Sequence, residues 1–199
     1  MKEWEDLSDW YDKKQGEDGD LWHRALIDPV LLRLIGDPRV KDILELGSGN
    51  GYLSRRLARR GGRIKAVDSS PRMIENARSH DHGDSLKIAY VHSDSNGLEP
   101  NSGWLVERVM FETRVYRRIR TYREPFAEQI PWRLQSVEKR YTPSFHRTLY
   151  WYARALHASG LAITALEEPE PTEEFLEKDS DGPELREVPL HLVFKSVKL

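Results

Sequence analysis

Three glycines occupy alternate positions at Gly47, Gly49 and Gly51, directly after the short apolar segment 43–46. Glycine has no Cβ, so a turn built from glycines lets a ligand approach the bare backbone. Where such a turn joins a strand to a helix, the unpaired N–H groups at the helix start face the same space. This segment therefore predicts a crevice for a small ligand at the carboxyl end of a strand.

Two acidic residues are predicted to face this crevice. Glu45 precedes the first glycine by two residues, and Asp68 ends the next apolar segment. One carboxylate there can accept hydrogen bonds from ribose hydroxyls, and the other can face an ammonium group. The pattern Gly-x-Gly-x-Gly also differs from the Gly-x-Gly-x-x-Gly of pyrophosphate-binding turns. A ligand with a ribose, a cationic centre and an amino-acid ammonium therefore fits better than a dinucleotide.

Ordinary structural roles are the alternative interpretation of these residues. The glycines also suit a plain strand-to-helix turn. Asp68 on its own equally suits a cap at the end of a strand. The surrounding elements are needed to choose between the two interpretations.

The segments around the glycines alternate between strand and helix patterns. Apolar runs predict short buried strands at residues 43–46, 64–67 and 86–91. Leucines opposed by arginines predict a helix at 52–60. Ser70 followed by Pro71 predicts the cap and first turn of a helix that ends near residue 78. This order predicts one half of a doubly wound α/β sheet.

The flanking segments carry further signals. Aromatic and apolar side chains at spacings of three and four predict an amphipathic helix within residues 1–20. The next segment predicts a helix that is broken near Pro29 and ends at Gly36. The last part of the chain predicts a helix at 148–159, a strand at 161–166, an acidic proline-containing loop at 167–184, and a final strand within 189–199.

These motifs together resemble the class I S-adenosylmethionine-dependent methyltransferases. Residues 44–58 are similar to the glycine motif of that family, residues 66–78 to its second motif, and residues 90–95 to its adenine-side segment. Residues 144–171 are similar to the late helix and strand of its small-molecule members. The resemblance implies a Rossmann-like α/β sheet with helices on both faces and S-adenosylmethionine as the cofactor.

The resemblance also implies a set of cofactor-binding residues. In chain order they are Tyr11, Glu45, Gly47, Ser48, Gly49, Asn50, Gly51, Asp68, Ser69, Met73, Asp94 and Ser95. Those of the glycine motif would hold the methionine part, and Tyr11 would cover the cofactor. Asp68 would bind the ribose, while the residues after it would surround the adenine. Met73 also suits a core position and Asp94 an Asx turn.

The family pattern is shortened in the middle of this chain. After residue 99 the sequence lacks the fourth strand, the helix and the fifth strand that a typical member would have. Three explanations stay open: a deletion compensated by new strand pairing or by a homodimer, an artificial deletion, or a segment missing from the record. An uncompensated loss leaves the first strand with an open edge, which favours association.

The composition limits the other classes of function. A net charge of -2 gives no overall attraction to nucleic acid or to anionic membranes. The chain has no cysteine, so it has neither disulfides nor a thiolate zinc site. The start of the chain lacks an apolar signal region, and no segment is long enough to span a membrane. We therefore expect a cytoplasmic protein without a membrane partner.

Arginines and histidines supply the remaining candidates. Arginines interleaved with tyrosines at 114–123 suit nucleic-acid contact, but a solvated face fits the negative overall charge better. The family resemblance implies that this region caps the substrate site. His146 is a weak candidate for a catalytic base, against a packing role. The other histidines, including His80, His82 and His92, lack the spacing of metal ligands, so no metal is predicted.

We therefore expect a single domain over residues 1–199. Its expected parts are an N-terminal helical cap at 1–40, a cofactor-binding half at 41–95, a substrate-cap region at 104–145, and a C-terminal helix and strands at 146–199. The expected reaction is methyl transfer from S-adenosylmethionine to an O or N atom of a small molecule. Cofactor binding without catalysis is the alternative, and RNA methylation is a third.

Overall fold

The computed structural model describes residues 2–82, 85–93, 105–106, 117–118, 122–124, 126–131, 141–179, 185–186, 189 and 191–199. These residues fall into two compact units. The first unit comprises residues 1–24 and 35–99, and the second comprises residues 25–34 and 100–199.

A three-stranded parallel sheet forms the centre of the first unit. Its strands are β1 (Asp42–Leu46), β2 (Arg63–Asp68) and β3 (Ile88–His92), in the order β1-β2-β3. The register pairs Ile43 with Ile64, and Ile64 with Ile88. Parallel strands end at the same edge of a sheet, so the carboxyl ends of β1 and β2 lie side by side.

Helices connect these strands and cover one face of the sheet. The helices of this part of the chain are α1 (Lys2–Gln15), α2 (Asp28–Ile35), α3 (Tyr52–Arg59) and α4 (Pro71–Ser79). α3 and α4 pack on β2 and β3, and they bury Leu57 and Ile74 together with Ile64 of the sheet. On the opposite face Leu44 is 59% exposed. The core of the first unit therefore lies between this sheet and α3 and α4.

The helix predictions for the first part of the chain are confirmed. Ser70 caps α4, its hydroxyl accepts a hydrogen bond from Met73 N at 3.0 Å, and Pro71 is the first helical residue. Before α2 the chain forms a π-helical turn at His23–Ile27, so the helical segment changes its geometry just before Pro29. α2 ends at Ile35, directly before Gly36.

The second unit contains most of α2, and its described residues after position 100 form antiparallel strand pairs and two further helices. The strands are β4 (Leu105–Val106), β5 (Arg117–Arg118), β6 (Phe126–Pro131), β7 (Tyr141–His146), β8 (Leu161–Glu167) and β9 (Val193–Lys198). β4 pairs with β5, β6 with β7, and β8 with β9. The helices are α5 (Leu149–Ala158), capped by Thr148, and α6 (Glu173–Lys178). α5 and β8 confirm the predicted helix and strand near the C-terminus.

The prediction of a continuous acidic loop at 167–184 is wrong, because this segment contains α6. Thr172 caps the helix by accepting a hydrogen bond from Phe175 N. Two glutamates in the first turn stabilise the helix, because their negative charge lies near the positive end of its dipole. Phe175 is fully buried and anchors the helix. The prolines at 169 and 171 precede the helix and therefore do not interrupt it.

The predicted shortening of the centre lies mainly outside the described residues, as does the chain between residues 94 and 103. Among the described strands, β1 pairs with β2 and with no other strand. In the described part of the chain, no helix combines the length and the apolar character needed to cross a bilayer.

Candidate functional site

The glycine turn between β1 and α3 is tied to the end of β2. The N–H groups of Gly47 and Ser48 both donate to the carbonyl of Val67, at 2.8 and 3.0 Å. Gly47, Gly49 and Gly51 all have positive φ angles, of 69°, 53° and 73°. The turn therefore needs the left-handed backbone that glycine adopts at little cost.

The first part of this turn faces open space. A Cβ built on Gly47 or Gly49 would meet no described atom within 4 Å. Ser48 is only 4% exposed, and its hydroxyl has no hydrogen-bond partner among the described residues. A buried hydroxyl without a partner is rare in proteins, because it loses its bonds to water. The backbone at Gly47 and Gly49 therefore leaves room for a ligand, and the unpartnered hydroxyl belongs to the residue between them.

Gly51 has a different reason to be glycine. A Cβ at this position would lie 3.0 Å from Tyr90 Cε1 and 3.1 Å from Ala77 Cβ. Gly51 is thus needed where α3 starts against α4 and β3. The three glycines therefore divide into two that border the open space and one that permits close packing.

The substitution Gly51→Ala is expected to lower the free energy of unfolding by about 2–4 kcal/mol, from backbone strain and overpacking together. Gly16→Ala is the matched control, because Gly16 has φ 61° and its Cβ would meet no described atom within 4 Å. We expect a loss of about 1–2 kcal/mol for this control, since only strain applies. Urea denaturation measures both values. Equal losses would contradict the packing role of Gly51.

Asp68 joins the glycine turn to the start of α4. Its carboxylate accepts hydrogen bonds from Gly49 N at 2.8 Å and from Ser70 N at 2.9 Å, one on each oxygen. This is the capping role that the sequence offered as an alternative to ribose binding. A carboxylate offers about four acceptor positions, so two backbone bonds leave capacity for further donors. Asp68 therefore both fixes the turn and presents an acceptor beside it.

Glu45 bridges β1 and α3. Its carboxylate accepts a short hydrogen bond from the hydroxyl of Ser54, which is fully buried on α3. Glu45 is half-buried and stands two residues before the open part of the turn. The structure thus places both predicted acidic residues at the carboxyl edge of the sheet.

Asn50 points its side chain to the N-terminal segment. Its amide group donates to Asp12 Oδ1 at 2.9 Å and to the carbonyl of Gly16 at 2.8 Å. Its amide oxygen accepts a hydrogen bond from Tyr52 N at 3.3 Å. The side chain of Asn50 therefore holds the end of α1 on the turn. Its contact with the methionine part of the cofactor stays a prediction.

Tyr11 lies on α1 within electrostatic reach of Asp68. Burial raises the pKa of Tyr11 to about 12; the hydrogen bond from Gln15 opposes this, and the charges of Asp20 and Asp68 add to it. Gln15 Nε2 donates to the phenol oxygen at 2.7 Å. The phenol is therefore neutral at pH 7. The predicted position of Tyr11 above the cofactor stays a prediction.

The predicted adenine-side residues have mixed outcomes. Met73 is buried among the core residues of α4, which agrees with its alternative interpretation as a core residue. Ser69 directly follows β2, and its carbonyl accepts a hydrogen bond from His92 Nε2 at 3.2 Å. Asp94 and Ser95 lie outside the described residues.

His146 belongs to the second unit. It is buried, and its Nε2–H donates to the carbonyl of Tyr122 at 2.8 Å, while the two rings pack edge to face. This is the packing role that the sequence analysis weighed against catalysis. Its function as a base stays a prediction.

The sequence does not single out Arg55, which donates a hydrogen bond to the backbone of the glycine turn. This arginine is 0% exposed, and its guanidinium donates to the carbonyl of Asn50 at 2.6 Å. Weaker bonds reach the carbonyls of Ala77 at 3.5 Å and Glu17 at 3.4 Å. The arginines at 55, 56, 59 and 60 look alike in the sequence. No local signal separates the buried Arg55 from the half-buried Arg56 and the exposed Arg59 and Arg60.

Comparison with known proteins finds relatives of part of this chain. Residues 43–113 match the methyltransferase domain family. The ubiquinone biosynthesis O-methyltransferase of Schizosaccharomyces pombe (strain 972 / ATCC 24843) is 40% identical over 62 residues, which cover 30% of this chain. The matched segment spans 23% of that relative, so the chain corresponds to less than a quarter of its length.

Solved structures match over most of the chain. An S-adenosylmethionine-dependent methyltransferase from Mesorhizobium loti superposes with a TM-score of 0.62 at 20% identity, over 84% of this chain and 95% of that chain. A Listeria monocytogenes protein assigned to the same class gives a TM-score of 0.62 at 18% identity, over 86% and 96% of the two chains.

The fold is therefore the Rossmann-like α/β fold of class I S-adenosylmethionine-dependent methyltransferases, and residues 43–113 are similar in sequence to a methyltransferase domain. The resemblance stated from the sequence and the predicted Rossmann-like α/β fold class are both confirmed; in the described part of the first unit, α3 and α4 cover one face of the sheet rather than both. S-adenosylmethionine is the cofactor of this class.

Proposed function

We propose that this chain transfers a methyl group from S-adenosylmethionine to a hydroxyl oxygen of a small molecule. The observation that carries the proposal is the glycine turn, where open space, a buried unused hydroxyl and two carboxylates come together. The relative named as an O-methyltransferase supports oxygen over nitrogen as the acceptor. This support extends to the type of acceptor atom, a hydroxyl oxygen.

The residues at the turn fit the cofactor. The backbone at Gly47 and Gly49 leaves room for its amino-acid end, and the Ser48 hydroxyl supplies a donor that has no other described partner. Glu45 places a negative charge near the same end, which suits an ammonium group. Asp68 keeps acceptor capacity for the ribose hydroxyls.

When bound, S-adenosylmethionine supplies a methyl group activated by its sulfonium. The chain's own residues would bind and orient, since alignment and exclusion of water contribute most of the rate in such a displacement. Asp68 would fix the ribose relative to the turn, because the same carboxylate holds Gly49 N. The proposal includes no catalytic base, and the role of His146 as a base stays a prediction from the sequence.

Methyl transfer is tested with S-adenosylmethionine that carries a tritiated methyl group. Panels of phenols, aliphatic alcohols and amines are incubated with the purified chain, and labelled product is extracted and counted. We expect label in hydroxyl compounds and none with the variant Gly49→Val, whose side chain enters the open space. Label in amines alone would overturn the choice of oxygen.

Cofactor binding without transfer is the second candidate. Two observations favour it. Among the described strands, β1 pairs with β2 alone. The sequence is also shortened in its centre. Calorimetric titration with S-adenosylmethionine separates the two candidates. Binding without label in any panel supports this second function, whereas absence of binding overturns both.

A further inference from the structure

Three side chains capable of binding a metal ion meet on the surface of the first unit. They are Glu17, His80 and His82, and each offers one ligand atom such that all three atoms lie within 4.8 Å of one another. Two imidazole nitrogens and one carboxylate oxygen are ligands that zinc accepts. Neither the family match nor the proposed function accounts for this cluster.

The backbone brings these ligands together from two separate segments. Glu17 follows the end of α1, whereas His80 is the C-cap of α4 and His82 comes two residues later. His82 has a φ of 44°, in the left-handed region that histidine adopts more readily than most residues. Its Nε2 lies 2.9 Å from Glu17 Oε1. The turn after α4 therefore directs His82 back to the end of α1.

A fourth side chain supports one of the histidines. Asp12 Oδ1 lies 2.7 Å from His80 Nε2. Histidines that bind metals commonly donate their second ring N–H to a carboxylate, which fixes the ring and makes the other nitrogen a better ligand. Asp12 also accepts the amide of Asn50, at 2.9 Å. Asp12 thus links the cluster to the glycine turn.

Exposure and charge both suit entry of a cation. The side chains of His82 and Glu17 are 60% and 53% exposed, whereas His80 is 18% exposed. Asp12 and Asp81 add negative charge on the same two segments. The buried guanidinium of Arg55, which donates to the carbonyl of Glu17, opposes a cation from the other side. Two exposed ligands leave coordination positions for water.

We propose that Glu17, His80 and His82 form a binding site for a zinc-type divalent ion. Tetrahedral zinc with bonds of about 2.0–2.2 Å holds its ligand atoms roughly 3.3–3.5 Å apart, so small rotations of the exposed side chains close the site. On binding, the ion takes the place of the hydrogen between His82 Nε2 and Glu17, and that proton moves to His82 Nδ1 or to solvent. Its effect is to fasten the end of α1 to the end of α4. This proposal differs from the prediction of no metal, which rested on local spacing, whereas Glu17 lies 65 residues from His82 in the chain.

Zinc binding is tested by calorimetric titration of the full, tag-free chain with ZnCl₂ and with MgCl₂. We expect one zinc ion per chain and no measurable magnesium binding, because two of the ligands are nitrogen. The variants Glu17→Gln and His82→Asn are each expected to lower zinc affinity at least about tenfold. Asparagine is chosen at 82 because it tolerates a positive φ.

His157→Asn is the matched control, since His157 is an exposed histidine on α5 outside the cluster. We expect its zinc affinity to equal that of the wild type. Zinc should also raise the melting temperature of the wild type and of this control, but not that of the Glu17→Gln, His82→Asn double variant. The proposal is overturned if the double variant binds zinc as tightly as the wild type, or if the wild type binds none.

Discussion

Replacing Asp68 with alanine is expected to weaken binding of S-adenosylmethionine by about 1–3 kcal/mol, or roughly 5- to 150-fold in Kd. Two losses combine in this variant. The ribose loses its proposed acceptor, and the N–H groups of Gly49 and Ser70 lose the carboxylate that holds them. Both losses act on the same crevice, so the effect on affinity should exceed that of any single distant substitution.

Calorimetric titration with S-adenosylmethionine and with S-adenosylhomocysteine measures this change. Asp42→Ala is the control, because Asp42 is an exposed carboxylate at the amino end of the neighbouring strand, where it pairs with Arg63 at 2.6 Å. Its affinity for both ligands should match the wild type. A folded Asp68→Ala variant with unchanged affinity would remove the ribose assignment.

Replacing Arg55 with methionine is expected to lower the free energy of unfolding by about 2–4 kcal/mol. Methionine fills much of the same volume, so the change removes mainly the charge and the donors. The carbonyl of Asn50 then loses a 2.6 Å bond inside the protein, and those of Ala77 and Glu17 lose weaker ones. Relief from burying a cation acts in the opposite direction but is smaller when several acceptors are left unpaired.

Urea denaturation followed by circular dichroism measures the effect. Arg59→Met provides the control, since Arg59 lies one turn further along the same helix and is exposed. We expect a change of no more than about 0.5 kcal/mol for Arg59. If Arg55→Met were as stable as wild type, the buried guanidinium would have no net stabilising role.

Local patterns were sufficient to predict the first unit. The strands β1 and β2 are short apolar runs, and the cap of α4 follows from Ser70 and Pro71. The glycine turn and Asp68 could also be recognised, because their positions at strand ends follow from the order of the elements. Each of these signals is contained within a few residues.

Features that depend on distant partners could not be predicted in this way. Arg55 differs from Arg59 only in what surrounds it, and the amide of Asn50 meets Gly16, 34 residues earlier in the chain. The same holds for Glu17 and the two histidines of the proposed metal site. α6 was missed for a different reason, since the prolines before it hid the helix cap at Thr172.

The two hydrogen bonds that the Asp68 carboxylate accepts, from Gly49 N and Ser70 N, have a consequence for the rate of ligand binding. A glycine turn that the Asp68 carboxylate already orders has little conformational entropy to lose when a ligand binds. Association should then proceed at a rate set by diffusion and docking rather than by a slow rearrangement of the loop.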